Sequence, residues 1–113
     1  MSTPRPYTPV RGSRTGRPVM ALLDLLGRRM ALRILWELRQ GPLSFRTLQA
    51  VAETNPGVLN TRLKELREAR LVTLEPDGYT LTRHGRELIQ ICAPLHQWAE
   101  DWAQSVQSSS TST

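Results

Sequence analysis

Cys92 and His96 stand four residues apart, a spacing that places a thiol and an imidazole on one helical face. Such a pair can join a nucleophile to a base or supply two metal ligands. Two donors do not make a metal site, however. Cys92 is the chain's single cysteine, and the other histidine, His84, lies well away in sequence. Cys92 also falls on an apolar stripe, where an inert, buried cysteine is the ordinary outcome; pairing with a second copy's Cys92 is the redox alternative. Glu100 and Asp101 are adjacent and so point to different sides of a helix, as solvated acids do. The sequence holds no phosphate-cradling glycine loop, no paired carboxylates with a reason for shifted acidity and, Cys92 and His96 apart, no nucleophile beside a base. Catalytic residues, metals and cofactors are not expected, and the enzyme classes are set aside.

A different chemistry is written between Asn55 and Lys64. Leu59, Leu63 and Leu66 recur at helical spacing as one inward stripe. Between them stand Gly57, Val58, Asn60, Thr61, Arg62 and Lys64. Val58, Asn60 and Thr61 are poor helix formers, where an indifferent solvated face would carry Ala, Glu or Lys. This small, polar and cationic mixture reads as a surface selected for contact.

The charge of the chain points to what is contacted. A net charge of +5 is unevenly spread: residues 1–17 carry +4 through Arg5, Arg11, Arg14 and Arg17, residues 18–70 carry +4, and residues 71–113 carry −3. A small protein with a basic front and middle is suited to a polyanion, and neutralised phosphates supply much of nucleic-acid affinity. The chain has 113 residues, 39% of them hydrophobic, and one core is expected. Residues 1–17, rich in Pro, Gly and Arg, read as a disordered basic arm, and residues 107–113 as a disordered polar tail. The domain then spans residues 18–106. No apolar run is long enough to cross a membrane and no secretory signal is present, so a soluble, cytoplasmic protein is expected.

The elements that position the contact surface follow from punctuation and periodicity. Pro18 opens a first helix, with Val19, Leu22, Leu23 and Leu26 as its apolar positions and Gly27 as its stop. A second helix over residues 28–39 turns Ala31, Ile34, Leu35 and Leu38 inward, and Gly41-Pro42 ends it. Leu43–Phe45 is long enough only for a bridge or edge strand. Ser44 caps a short third helix over residues 45–52 with Leu48 and Val51 inward. After a polar turn, Asn55-Pro56 begins a fourth helix over residues 56–69. Residues 71–75 and 79–82 alternate around Pro76-Asp77-Gly78 and form a β-hairpin. Thr82 then caps a long C-terminal helix.

Within that last helix Leu88, Cys92, Leu95, Ala99, Trp102 and Val106 follow steps of four and three, a heptad-like seam broadened by Ile91 and Trp98. A domain this small does not readily bury so long a stripe against itself. The same helix of a second subunit is the simplest partner. Leu22, Leu88, Cys92, Leu95, Trp98, Ala99 and Trp102 are the expected dimerisation residues. Pro94 is expected to bend or divide the helix near Ile91.

The resulting class is mainly α with a small β-hairpin, ordered α-α-β-α-α-β-β-α, a winged helix-turn-helix ending in a long helix. A major groove about 12 Å wide admits one α-helix, whose first turns present side chains to base edges. The segment from Asn55 to Lys64 fits that role. At this point Leu22-Leu23-Asp24-Leu25-Leu26-Gly27, Gly41-Pro42-Leu43-Ser44-Phe45-Arg46-Thr47-Leu48, residues 55–66 and residues 79–88 together resemble the HxlR-type, MarR-like winged-helix regulators over nearly all of residues 18–102. The resemblance implies a homodimer that binds palindromic, operator-like double-stranded DNA and commonly regulates a neighbouring gene.

The chain departs from that pattern in having no cysteine near the N-terminus, Met30 where relatives have Trp, Arg70 where they have Gly, and a shorter wing. Redox sensing is therefore not carried over, and Arg70 is expected in a left-handed conformation costing roughly 1 kcal/mol. By the usual division of labour, Val58, Asn60 and Thr61 are assigned to base edges and Ser44, Arg46, Arg62 and Lys64 to phosphates, with Asn55 and Gly57 at the helix entry. The arginine-rich arm, with Tyr7, can follow a groove. The competing reading is a winged-helix protein-interaction module without specific DNA binding. No feature of the sequence defines a small-molecule effector.

Overall fold

A computed structural model describes residues 3–7 and 17–111. Helix α1 (Pro18–Leu26) starts with proline at its first position, where the missing N–H costs nothing. Its buried face is Ala21 and Leu25, with Leu22 and Leu26 packed partly on the core. Val19 and Leu23, expected inward, are 57% and 56% exposed. Nearly every position of α1 is apolar, so periodicity did not fix its rotation. Asp24 of the same helix lies 3.6 Å from Arg28.

Helix α2 (Ala31–Glu37) starts three residues later than expected because Met30 takes a left-handed conformation, φ 70°. Residues 27–30 form a turn instead. Ala31, Ile34, Leu35 and Leu38 are buried as expected, and the helix tightens into a 3₁₀ turn at Leu38–Gln40 before Gly41, φ 146°. Helix α3 (Phe45–Val51) is capped by Ser44, whose Oγ accepts from the Thr47 N–H at 3.1 Å. Its inward residues are Leu48 and Ala52, four apart, while Val51 is 38% exposed, contrary to expectation. A turn with Glu53 at φ 55° leads to α4 (Pro56–Glu68), where Asn55 Oδ1 accepts from the Val58 N–H at 2.9 Å. Leu59, Leu63 and Leu66 bury completely or nearly so. They join Ile34, Leu35, Leu38 and Leu48 in one core.

Arg70 follows α4 in the left-handed region, φ 60°, as its place at the helix exit required. Strands β1 (Val72–Glu75) and β2 (Gly78–Leu81) pair antiparallel across a two-residue turn, Val72 opposite Leu81 and Glu75 opposite Gly78. Leu43 adds a single bridge to Tyr79, through bonds of 3.0 and 2.8 Å. Of the bridge or edge strand expected there, the structure has the bridge. Gly78, φ 129°, is needed there, since a Cβ would stand 2.6 Å from the Leu43 carbonyl oxygen.

Thr82 ties the wing to the last helix: its hydroxyl donates to the Arg70 carbonyl at 2.6 Å and accepts from the Gly85 N–H at 3.1 Å. Helix α5 (Arg83–Thr111) then runs 29 residues without interruption, so the expected division near Ile91 does not occur. Pro94 removes one backbone donor, but it and Gln90, whose carbonyl loses its partner, lie on the exposed surface where water can serve. The helix also continues past the boundary expected at residue 106. At the other end, Thr3 and Pro4 are buried, and the Thr3 hydroxyl donates to Glu68 Oε2 at 2.7 Å. Part of the expected disordered arm therefore packs against the domain. Arg11 and Arg14 lie outside the described residues.

Candidate nucleic-acid interface

The leucine stripe fixes the rotation of α4, and with it the outward face. At 100° per residue, Gly57, Asn60, Thr61 and Lys64 lie at i, i+3, i+4 and i+7, on one face opposite the leucines. All four are exposed. Asn55 is exposed too, but its side-chain oxygen is committed to the cap. Val58 and Arg62 occupy the flank, and both are half-buried.

Gly57 is informative because nothing inside the protein requires it. Its φ is not positive, and an added Cβ would meet only Asn55 Oδ1, at an ordinary 3.4 Å. Glycine here costs the helix roughly 0.5–1 kcal/mol relative to alanine. What it provides is a bare backbone at the first turn, open to close approach from outside. Pro56 and the Asn55 cap stiffen the same turn.

On the preceding helix, Ser44, Arg46 and Thr47 are exposed, with Ser44 Oγ and Thr47 Oγ1 3.0 Å apart. Arg46 and Lys64 thus present cations on the two helices of the helix-turn-helix. Arg62 does not join them. Its Nε donates to the Arg29 carbonyl at 2.7 Å and its Nη1 to Glu65 Oε1 at 2.7 Å, so the group expected at a phosphate makes contacts within the domain.

Glu65, buried to 7% exposure, was missed by pattern reading, although the spacings of Arg62 to Glu65 and Asp24 to Arg28 carried the signal. The wing is short, and its residues 72–81 include Glu75 and Asp77 but no Lys or Arg. Its tip is therefore acidic, the wrong sign for phosphate.

The dimerisation set divides within α5. Leu88 is buried in the domain's own core, and Leu22 and Cys92 pack partly against it. Beyond Pro94 the stripe faces outward: Leu95 is 53% exposed, Trp98 60%, Trp102 57% and Val106 52%, with Ala99 exposed among them. The Trp98 and Trp102 rings stack with centroids 5.9 Å apart, nearly parallel, and both are exposed. His96, on another side of the helix, stacks on Trp36 at 5.6 Å. Arg39 lies 4.2 Å from the Trp36 ring centroid. This explains His96 without a metal; among the described residues no cluster of three His, Cys, Asp or Glu can hold one. No described helix is long and apolar enough to cross a membrane.

Comparisons with known proteins agree with this architecture. An HTH-type transcriptional regulator of Methanocaldococcus jannaschii, itself uncharacterized, is 24% identical over 91 residues, which cover 76% of this chain and 86% of the relative. Among solved structures, quinone-bound YodB of B. subtilis superposes with a TM-score of 0.68 at 28% identity, covering 74% of this chain and 96% of YodB. A chain assigned to the MarR family of transcriptional regulators in Enterococcus faecalis gives a TM-score of 0.68 at 25% identity, covering 89% of this chain and 99% of that one. These neighbours carry the winged-helix fold described above. The family described as HxlR-like helix-turn-helix matches residues 25–107, and the chain belongs to that family of helix-turn-helix transcriptional regulators.

Proposed function

We propose that this protein is a homodimeric transcriptional regulator that binds double-stranded DNA sequence-specifically, with α4 inserted in the major groove. The observation that carries the reading is the single exposed stripe of Gly57, Asn60, Thr61 and Lys64, backed by buried leucines. Asn60 and Thr61, flanked by Val58, read base edges; Ser44, Arg46 and Lys64 hold phosphates. Asn55 pins the first turn, and Gly57 lets the duplex approach the backbone. The acidic wing stays off the phosphates. The described part of the N-terminal segment is anchored at Glu68, the far end of a helix that spans roughly 20 Å, so it does not enter the proposed contact.

The exposed half of α5 supports the dimer. Leu95, Trp98, Ala99 and Trp102 form the seam with a second copy, while Leu22, Leu88 and Cys92 hold the base of that helix to its own domain. Two-fold pairing presents two α4 helices to a palindrome. Selection of bound sequences from a random DNA pool tests the reading. A palindrome with half-sites about one helical turn, roughly 34 Å, apart is expected. Failure to retain any DNA even at low salt would overturn it and favour a protein-interaction module.

A further inference from the structure

Glu65 is a buried carboxylate on the flank of the helix proposed to read DNA, and each of its oxygens has its own partner. Oε1 accepts from Arg62 Nη1 at 2.7 Å, and Oε2 accepts from Arg28 Nη1. Arg28 in turn lies 3.6 Å from Asp24 of α1, and Arg62 Nε donates to the Arg29 carbonyl at 2.7 Å. The cluster therefore joins α1, the turn before α2, and α4. Left-handed Met30 shapes that turn, which supplies Arg28 and the Arg29 carbonyl.

We propose that Glu65, gripped by Arg28 and Arg62, is a positioning residue that sets the fine rotation and axial register of α4 left open by the leucine stripe, and so aligns its outward side chains with the groove. This rests on the DNA-binding reading above. Leu59, Leu63 and Leu66 hold α4 to the core through contacts that are strong but non-directional. A leucine stripe tolerates sliding and rolling that hydrogen bonds do not, because those weaken steeply away from their preferred angles. Stability alone does not call for such a cluster: a buried ion group replaced as a whole by apolar residues often leaves a protein equally stable or more so. Here the bonds run from α4 to a turn on its flank, the geometry that resists rolling.

The test replaces the cluster together, Arg28→Met with Arg62→Met and Glu65→Leu, and separately makes Glu65→Gln. The triple variant is expected to fold with an unchanged or higher Tm and to keep its binding to random DNA. Its ratio of specific to random binding should fall roughly tenfold to a hundredfold, the discrimination of one misplaced base contact. Glu65→Gln should lower the same ratio. A stable triple variant with an unchanged ratio would overturn the proposal. Residual dipolar couplings of the α4 amides, which report rotation, and nuclear Overhauser contacts of the α4 leucine methyls, which report axial register, give an answer without DNA. One or both should differ between the parent and the triple variant, and couplings and contacts that are both unchanged would equally overturn the proposal. A parent protein that shows no specific binding instead refutes the DNA reading, and the couplings and contacts still judge the role of Glu65.

Discussion

The outward face of α4 and the outer half of α5 both contain residues that the monomer does not need, yet their chemistry is opposite. On α4 the exposed stripe is small, polar and cationic, and at Gly57 it carries a residue that weakens the helix without relieving any internal strain. On α5 it is aliphatic and aromatic, with two exposed indoles stacked on one another. Water would tolerate the first at little cost and the second only at considerable cost. A face that can stand in water but is built against helix propensity points to a polar, anionic partner. A face that water disfavours suits a permanent apolar partner, the place proposed above for a second copy of α5.

The largest test of this contrast removes the aromatic surface. Replacing both Trp98 and Trp102 with alanine should raise the dimer dissociation constant about a thousandfold, at ~1 kcal/mol for each of the four rings that the dimer loses. Sedimentation velocity reads it, and a dimer of unchanged affinity would place the interface elsewhere. Next comes the polar face: Asn60→Ala or Thr61→Ala should cost about 1–3 kcal/mol in binding to a selected site and almost nothing on random DNA. Competition binding distinguishes the two, and equal losses on both would reassign these residues to phosphate contact.

Two smaller changes sharpen the comparison because they separate stability from binding. Arg70→Gly relieves the left-handed residue after α4 and should raise stability by about 1 kcal/mol in thermal or urea unfolding, with DNA affinity unaltered. Gly57→Ala should stabilise by roughly 0.5–1 kcal/mol in the same unfolding assay yet weaken DNA binding. Opposite signs are the point of that variant. If the added methyl stabilises the helix and leaves binding intact, the bare backbone has no external purpose.

Where the sequence carried strong local rules, the fold was legible in it. The side-chain caps at Ser44 and Asn55 and the prolines at the first turns of α1 and α4 marked helix starts. The Leu59, Leu63 and Leu66 stripe fixed the outward face of α4, and the missing glycine at Arg70 announced a left-handed residue. Reading failed where local rules were silent. In α1 apolar residues surround the helix, so its buried face was set by tertiary contacts that periodicity does not contain. Met30 carries no signal for positive φ, which hid the turn that shortens α2. Arg62 was assigned to phosphate and Glu65 passed over because their burial depends on Arg28 and Arg29, more than thirty residues earlier. In α5 one seam covered two environments, since the domain's own core reaches only as far as Cys92.

Amide and indole chemical-shift mapping on addition of a duplex carrying a selected site locates the contact surface directly. The largest changes are expected at Gly57, Asn60, Thr61 and Lys64, smaller ones at Ser44 and Arg46, and none at the Trp98 and Trp102 indoles. Changes concentrated on the hairpin or the outer half of α5, with the α4 amides unmoved, would contradict the insertion of α4 in the major groove.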